Sequence, residues 1–369
     1  MTSAAEPTDL PGGGPFGFAP GQAAAAYILS LNPCAPGQVR IYLKWCDIVF
    51  SLVQVKQVVS SGTGGTLKPM LSPSVNYWMS FVGLVYFVAG VFVLRKDISA
   101  ARGWDRLITL GPVFLAVPVA MFGTDHLCSP GPIKDIVPSW IPARLFVTYF
   151  VGCALLAAAT SLTLKKYVRL SFTLFGLMFF LFVCLMHIPN ALVDPKDRFA
   201  WEIVFRDITY SGAGFALAGL YSRNAAPQQA KWMILFGRTV IAMAAIFFAA
   251  EHFLHPEFAP GVSSPAMTPS WVPVPRVWGY LAGAILLAAG IGLALNKKPR
   301  MAATSIGALM TALALSVELI ALVLALAHGG STQDINVALD TVFDTLLYGG
   351  AALVLASAMP RDPDRMEET

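Results

Sequence analysis

From residue 75 onward, long apolar runs alternate with short polar breaks. Nine runs are near the about 20 helical residues a bilayer crossing needs, at 76–94, 106–124, 144–164, 170–188, 202–221, 232–252, 277–295, 301–327 and 337–358. The eighth is long. At a rise of 1.5 Å per residue it reaches about 40 Å, so it tilts or projects from the membrane. Residues 1–40 are rich in Pro, Gly and Ala, as in "DLPGGGPFGFAPGQAAAA". They predict an irregular tail, without the basic start and uninterrupted apolar core of a signal peptide. Residues 41–60, "IYLKWCDIVFSLVQVKQVVS", carry Lys44, Asp47 and Lys56 and read as an amphipathic interfacial helix over a true span. The expected class is all-α: a polytopic membrane helical bundle.

Composition points the same way. Hydrophobic residues make up 56% of the chain and charged residues only 12%, against about 25% charged in a soluble domain. That balance excludes an ordinary soluble enzyme, a disordered protein and a nucleic-acid binder. The net charge of +4 is informative only loop by loop. One set of connections holds fourteen basic residues: Arg95, Lys96, Arg102, Arg106, Lys165, Lys166, Arg169, Arg223, Lys231, Lys297, Lys298, Arg300, Arg361 and Arg365. The alternate set holds five: Lys134, Arg144, Lys196, Arg198 and Arg276. The richer set is expected inside a cell (inner) membrane, with the tail 359–369 cytoplasmic. The side of the N-terminus depends on whether 41–60 crosses. None of Cys34, Cys46, Cys128, Cys153 and Cys184 forms a CxxC pair, which argues against a dithiol redox centre. Cys153 and Cys184 lie in apolar runs, while Cys34, Cys46 and Cys128 are placed to share a compartment.

The chain also repeats itself. "MFGTDH" at 121–126 matches "FFAAEH" at 247–252, and "VPSWIP" at 137–142 matches "TPSWVP" at 268–273. "YFVGCALLAAA" at 149–159 matches "YLAGAILLAAG" at 280–290, and "EIVFRDITYSGAG" at 202–214 matches "DTVFDTLLYGGAA" at 340–352. Residues 106–221 and 232–358 therefore read as two four-helix repeats. An even number of spans makes them parallel, with 76–94 as one additional N-terminal span.

A unit with "FGTDH" closing one helix, a Pro-rich loop with Trp, a "G…LLAA" helix, "MHIP" and "YSGAGFALAG" resembles the DoxX/DoxD-like membrane family. "AAEH", "PSWVPVP", "GAILLAAGIGLAL" and "DTLLYGGAALVLAS" repeat the plan. The resemblance covers about residues 106–358 and not the first hundred. Some members are subunits of thiosulfate:quinone oxidoreductase and others are accessory proteins of membrane redox complexes. The resemblance thus implies a quinone-linked or redox-accessory subunit in the lipid bilayer; the cofactor stays open, with quinone the candidate, and other membrane or redox subunits are candidate partners. The alternative is a non-enzymatic membrane module that binds a lipid, small solute or partner protein in a cleft between repeats.

Ionisable groups at membrane depth are costly and often functional. His126, His187, His252, His255 and His328 fall at the outer ends of spans, and Glu202, Arg206, Asp207, Asp340 and Asp344 at the outer starts of the fifth and ninth. For His126, His187 and Glu202 three readings stand. They are capping between helix ends, a proton relay beside a quinone, and a two-histidine, one-carboxylate metal site. Their convergence is expected, with His252 and Asp340 similarly placed in repeat two. Asp344 falls at the repeat position of Arg206, so an Arg–Asp pair between repeats would neutralise both. Glu318, deep in the eighth span, is a candidate buried carboxylate and falls where His187 falls in repeat one. Arg238 is placed to snorkel to the basic side.

Overall fold

The computed structural model describes residues 75–261, 267–328 and 332–361. The 1–40 tail, the 41–60 helix and most of the 359–369 tail lie outside the described residues, as do Cys34 and Cys46. Among the described residues there are ten helices and no strand. They are α1 (Val75–Ala100), α2 (Trp104–Cys128), α3 (Pro130–Ile136), α4 (Arg144–Thr163), α5 (Val168–Val193), α6 (Arg198–Leu220), α7 (Pro227–Leu254), α8 (Pro275–Ala294), α9 (Pro299–Ala327) and α10 (Thr332–Ala358). The short α3 was not anticipated from hydropathy, because seven residues with two prolines carry no period.

Eight of the ten are long and apolar enough to cross a membrane: α1, α2, α4, α5, α7, α8, α9 and α10. The chain is a multi-pass membrane protein. The fifth expected span, α6, fails that measure because its N-terminal half carries Arg198, Glu202, Arg206 and Asp207. It is nevertheless enclosed by α5, α7 and α10, and the charges are matched inside the protein instead of facing lipid. Its start at Arg198, four residues before the apolar run, follows from Asp197, whose Oδ1 accepts the N–H of Ala200 at 3.3 Å as an N-cap.

The helices close into a ring in which each packs on the next: α2 on α4, then α5, α6, α7, α8, α9 and α10, and α10 back on α2. Inside this ring α6 packs against α10. The first helix of each four-helix set, α2 or α7, thus packs on the last helix of the other set. α1 lies against the outside of α2 and presents Phe81, Leu84, Val88 and Phe92 outward, as lipid contact requires. α10 is the most enclosed of the eight apolar helices, 83% buried.

The two sets share their irregularities. Non-glycine residues with positive φ occur at Ala143, Lys165 and Tyr167, and again at Val274, Asn296 and Lys298, each pair 131 residues apart. A single π-turn interrupts α5 at Val183–His187 and α9 at Ala314–Glu318, again 131 apart. Close approaches recur as well. A Cβ on Gly111 would come within 2.7 Å of Leu353 across α2–α10, and one on Gly237 within 2.9 Å of Ala216 across α7–α6. Without packing forces from water, small residues that bring backbones together hold membrane helices to one another.

Polar groups mark the two ends of the bundle. At the basic end Arg300 Nη2 meets Asp105 at 2.8 Å, Lys165 meets Asp97 at 2.8 Å, and Arg238 reaches Asn296. The opposite end collects the termini that carry histidine and acid.

Candidate functional site: a charged line between the repeats

α6 and α10 meet at residues that correspond in the two sets, 138 positions apart. Arg206 Nη1 donates to Asp344 Oδ2 at 2.5 Å. At 1.5 Å per residue, Arg206 lies about 12 Å along α6 from Arg198, well below the helix end. Arg206 Nε also donates to Asp207 Oδ1 at 3.2 Å. The other oxygen of Asp207 accepts from His187 Nε2 at 3.0 Å. Tyr210, one turn further along α6, donates to the Asp344 carboxylate at 3.2 Å and to its backbone carbonyl at 3.1 Å. The result is a line, His187–Asp207–Arg206–Asp344–Tyr210, that runs from the π-turn of α5 across α6 to α10. Asp207 and Asp344 are buried, and the His187 and Arg206 side chains keep 18% and 17% of their surface.

The line is nearly balanced in charge. One guanidinium lies between two carboxylates, and the imidazole on Asp207 is the only further base in it. Burying a charge is tolerable only when it is paired and hydrogen-bonded, and each ionisable group here touches the next.

Repeat two differs. Glu318 ends the π-turn of α9 as His187 ends that of α5. Its Oε1 accepts from Thr345 Oγ1 at 2.8 Å, and Thr345 stands 138 residues after Asp207. Over this pair lies Gly261, where a Cβ would come within 2.6 Å of Oε1. The Gly261 N–H donates to His252 Nε2 at 3.2 Å, and His252 Nδ1 faces the Phe248 carbonyl at 2.5 Å.

The remaining expected residues have partners of their own. Glu202 pairs with Arg198 at 3.4 Å, and Arg198 also reaches Glu251 of the other set at 3.4 Å and lies 4.1 Å over the Phe258 ring. His126 Nδ1 faces its own helix at Phe122 O, 2.7 Å, with its Cβ against Gly152. His255 meets Glu257 at 3.8 Å in the loop after α7. His328 is exposed and bonds Leu324 O of its own helix. Asp340, on the exposed side of α10, feels the charges of Asp344, Asp125 and Arg206. Among the described residues no three His, Cys, Asp or Glu side chains are placed to hold a metal ion. His187 engages Asp207, and Glu202 engages Arg198.

Sequence reasoning did not name Tyr210, Thr345, Arg198, Glu251 or Gly261 as site residues. Signals for two of them were present. Arg198 stands four residues before Glu202, the spacing of a helical ion pair, and Thr345 occupies the repeat position of Asp207. No family model, curated protein or solved structure matches the chain.

Proposed function

We propose that this chain is a DoxX-like protein of the cell membrane that serves as a quinone-linked, redox-accessory subunit, with its charged line handling protons on the outer side. The observation that carries the reading is the continuous run of paired groups His187–Asp207–Arg206–Asp344–Tyr210 inside the helical bundle. A quinone that gains two electrons must also gain two protons, so a quinone-linked membrane protein needs titratable groups that reach a water face. His187 is the partly exposed end of the line, and an imidazole can take a proton at one ring nitrogen and give one up at the other. The likeness of "FGTDH", "MHIP" and the "YSGAGFALAG" helix to that family supports the same reading. The basic end is then cytoplasmic, and so is the C-terminus.

The test is purification of the full chain in mild detergent followed by organic extraction and chromatography. Quinone at near-stoichiometric amount is expected, and His187→Ala should lower it. Protein that holds no quinone, from membranes whose quinol-dependent turnover is the same with and without the chain, would remove the reading.

One observation favours the non-enzymatic alternative. Arg206 and Asp344 satisfy one another, as a permanent interlock between repeats would require. Under that reading, variants of His187 leave membrane redox rates unchanged while a bound lipid, solute or partner is lost.

A further inference from the structure

The two π-turns hold different chemistry at the same place. In repeat one a base, His187, meets an acid, Asp207, which also touches Arg206. In repeat two an acid, Glu318, meets a neutral hydroxyl, Thr345. The first arrangement compensates its charge and the second does not.

Glu318 is 4% exposed. Its Oε1 has the Thr345 hydroxyl, while its Oε2 is buried with no hydrogen-bond partner among the described residues. Nor does any Lys, Arg or His there form an ion pair with it. The groups around it add no positive charge. On α10, Asp344 has the same sign and is already held by Arg206. From the α7 side His252 reaches this region only through Gly261. The imidazole faces a carbonyl at Nδ1 and an N–H at Nε2. It therefore donates at the first and accepts at the second, which is the neutral tautomer. An isolated carboxylate at membrane depth is expensive. A carboxylic acid fits the same surroundings, with Oε1 as the accepting carbonyl and Oε2 carrying the hydrogen. π-turns inside α-helices are themselves frequent at functional positions.

We propose that Glu318 is a proton-binding site. Its Oε2 holds a proton in the resting protein and exchanges it with water on the outer side. On release the O–H bond of Glu318 breaks, its electron pair stays on the carboxylate, and the proton bonds to a water oxygen. Uptake is the reverse. The site needs no bound quinone, so it stands or falls separately from the redox reading.

Infrared spectroscopy of the full-length protein in lipid tests it. At neutral pH the spectrum should contain the carbonyl band of a protonated carboxyl. That band should move when the protein is labelled with carbon-13 glutamate, shift in D₂O, persist in Glu202→Gln and vanish in Glu318→Gln. Should Glu318→Gln fail to fold, Glu318→Asp serves: the band should then respond to labelled aspartate instead of glutamate. The proposal is overturned if no glutamate band exists at neutral pH, if it survives removal of Glu318, or if it never exchanges in D₂O. A protein that shows the band but holds no quinone keeps this site and loses only the redox function.

Discussion

Arg206 should matter more to the stability of the bundle than either of its carboxylate partners. It touches Asp344 at 2.5 Å and Asp207 at 3.2 Å, and each acid keeps only 9% of its side-chain surface. Arg206→Met leaves two buried carboxylates without their guanidinium, Asp207 still on His187 and Asp344 still on Tyr210. Removing one partner of a buried ion pair costs about 3–5 kcal/mol, and stranding two acids places this variant at the upper end. Asp344→Asn is milder. The Arg206–Asp207 contact remains, and the amide oxygen still accepts from Tyr210, so the loss is that of a charge-assisted hydrogen bond, about 1–3 kcal/mol. The double variant Arg206→Met/Asp344→Leu removes a matched pair and leaves Asp207 on His187. It should be less damaging than Arg206→Met alone, because neutralising both halves of a buried pair strands one charge fewer.

Equilibrium unfolding in mixed micelles, with the SDS fraction as denaturant and tryptophan fluorescence as signal, resolves these differences. A gap of about 2 kcal/mol between the single variants is a factor of about 30 in the folded ratio. Equal losses for Arg206→Met and Asp344→Asn would refute the reasoning. So would a double variant that costs as much as Arg206→Met alone, or more.

Three further outcomes follow from the structure. Gly350→Val should unseat α10 from α2, because even a Cβ at Gly350 would lie 2.5 Å from the Leu115 nitrogen, whereas Gly131→Ala, with nothing within 4 Å, should leave thermal unfolding unchanged. Arg198→Ala gives up Glu202, Glu251 and the Phe258 ring, but the side chain is 21% exposed, so the loss should be about 1 kcal/mol in the same micelle titration. A C-terminal fluorescent-protein fusion should fluoresce and an alkaline phosphatase fusion should be inactive; the reverse pattern would place the basic end outside.

The helices were legible because lipid demands unbroken apolar runs, and the repeat was legible because its landmarks are polar. "DH" and "EH", "PSW" and "PSW" survive in a background where Leu, Ala and Val interchange freely. α6 was harder to bound, since its first turns are charged and an N-cap, not hydropathy, sets its start. The π-turns left no mark in hydropathy, because one extra residue in a helical turn keeps the same composition. The partner of Glu318 was hidden for a further reason. The repeats keep three different offsets: 126 between His126 and His252, 131 between His187 and Glu318, and 138 between Arg206 and Asp344. The connection after α7 is longer than that between α2 and α4, α9 is longer than α5, and α10 runs further before Asp344 than α6 does before Arg206, so two residues that face one another in space are aligned by different shifts in sequence. Counting from the basic turn placed Glu318 on His187, and the separate match of 202–214 with 340–352 placed Thr345 on Asp207, but neither alignment by itself set the two side chains against one another.

The position of the Arg206–Asp344 contact has its own consequence. Two like repeats that pack around a two-fold axis bring the same position of each last helix together, and a residue on the axis meets its own counterpart. Identical charged residues there would repel. A charged contact at the axis is favourable only once the two copies differ, as Arg206 and Asp344 do. The pair therefore discriminates: repeat one against a second repeat one would set arginine on arginine, and repeat two against repeat two would set aspartate on aspartate. Only the pairing present within this chain is matched, which is specificity built by penalising the alternatives. The same divergence explains why the neighbouring positions no longer agree. With Arg206 on its helix, Asp207 and His187 complete a compensated cluster. With Asp344 on its helix, a second acid at position 345 would crowd like charges, and Thr345 stands there instead, leaving Glu318 without an ion-pair partner among the described residues.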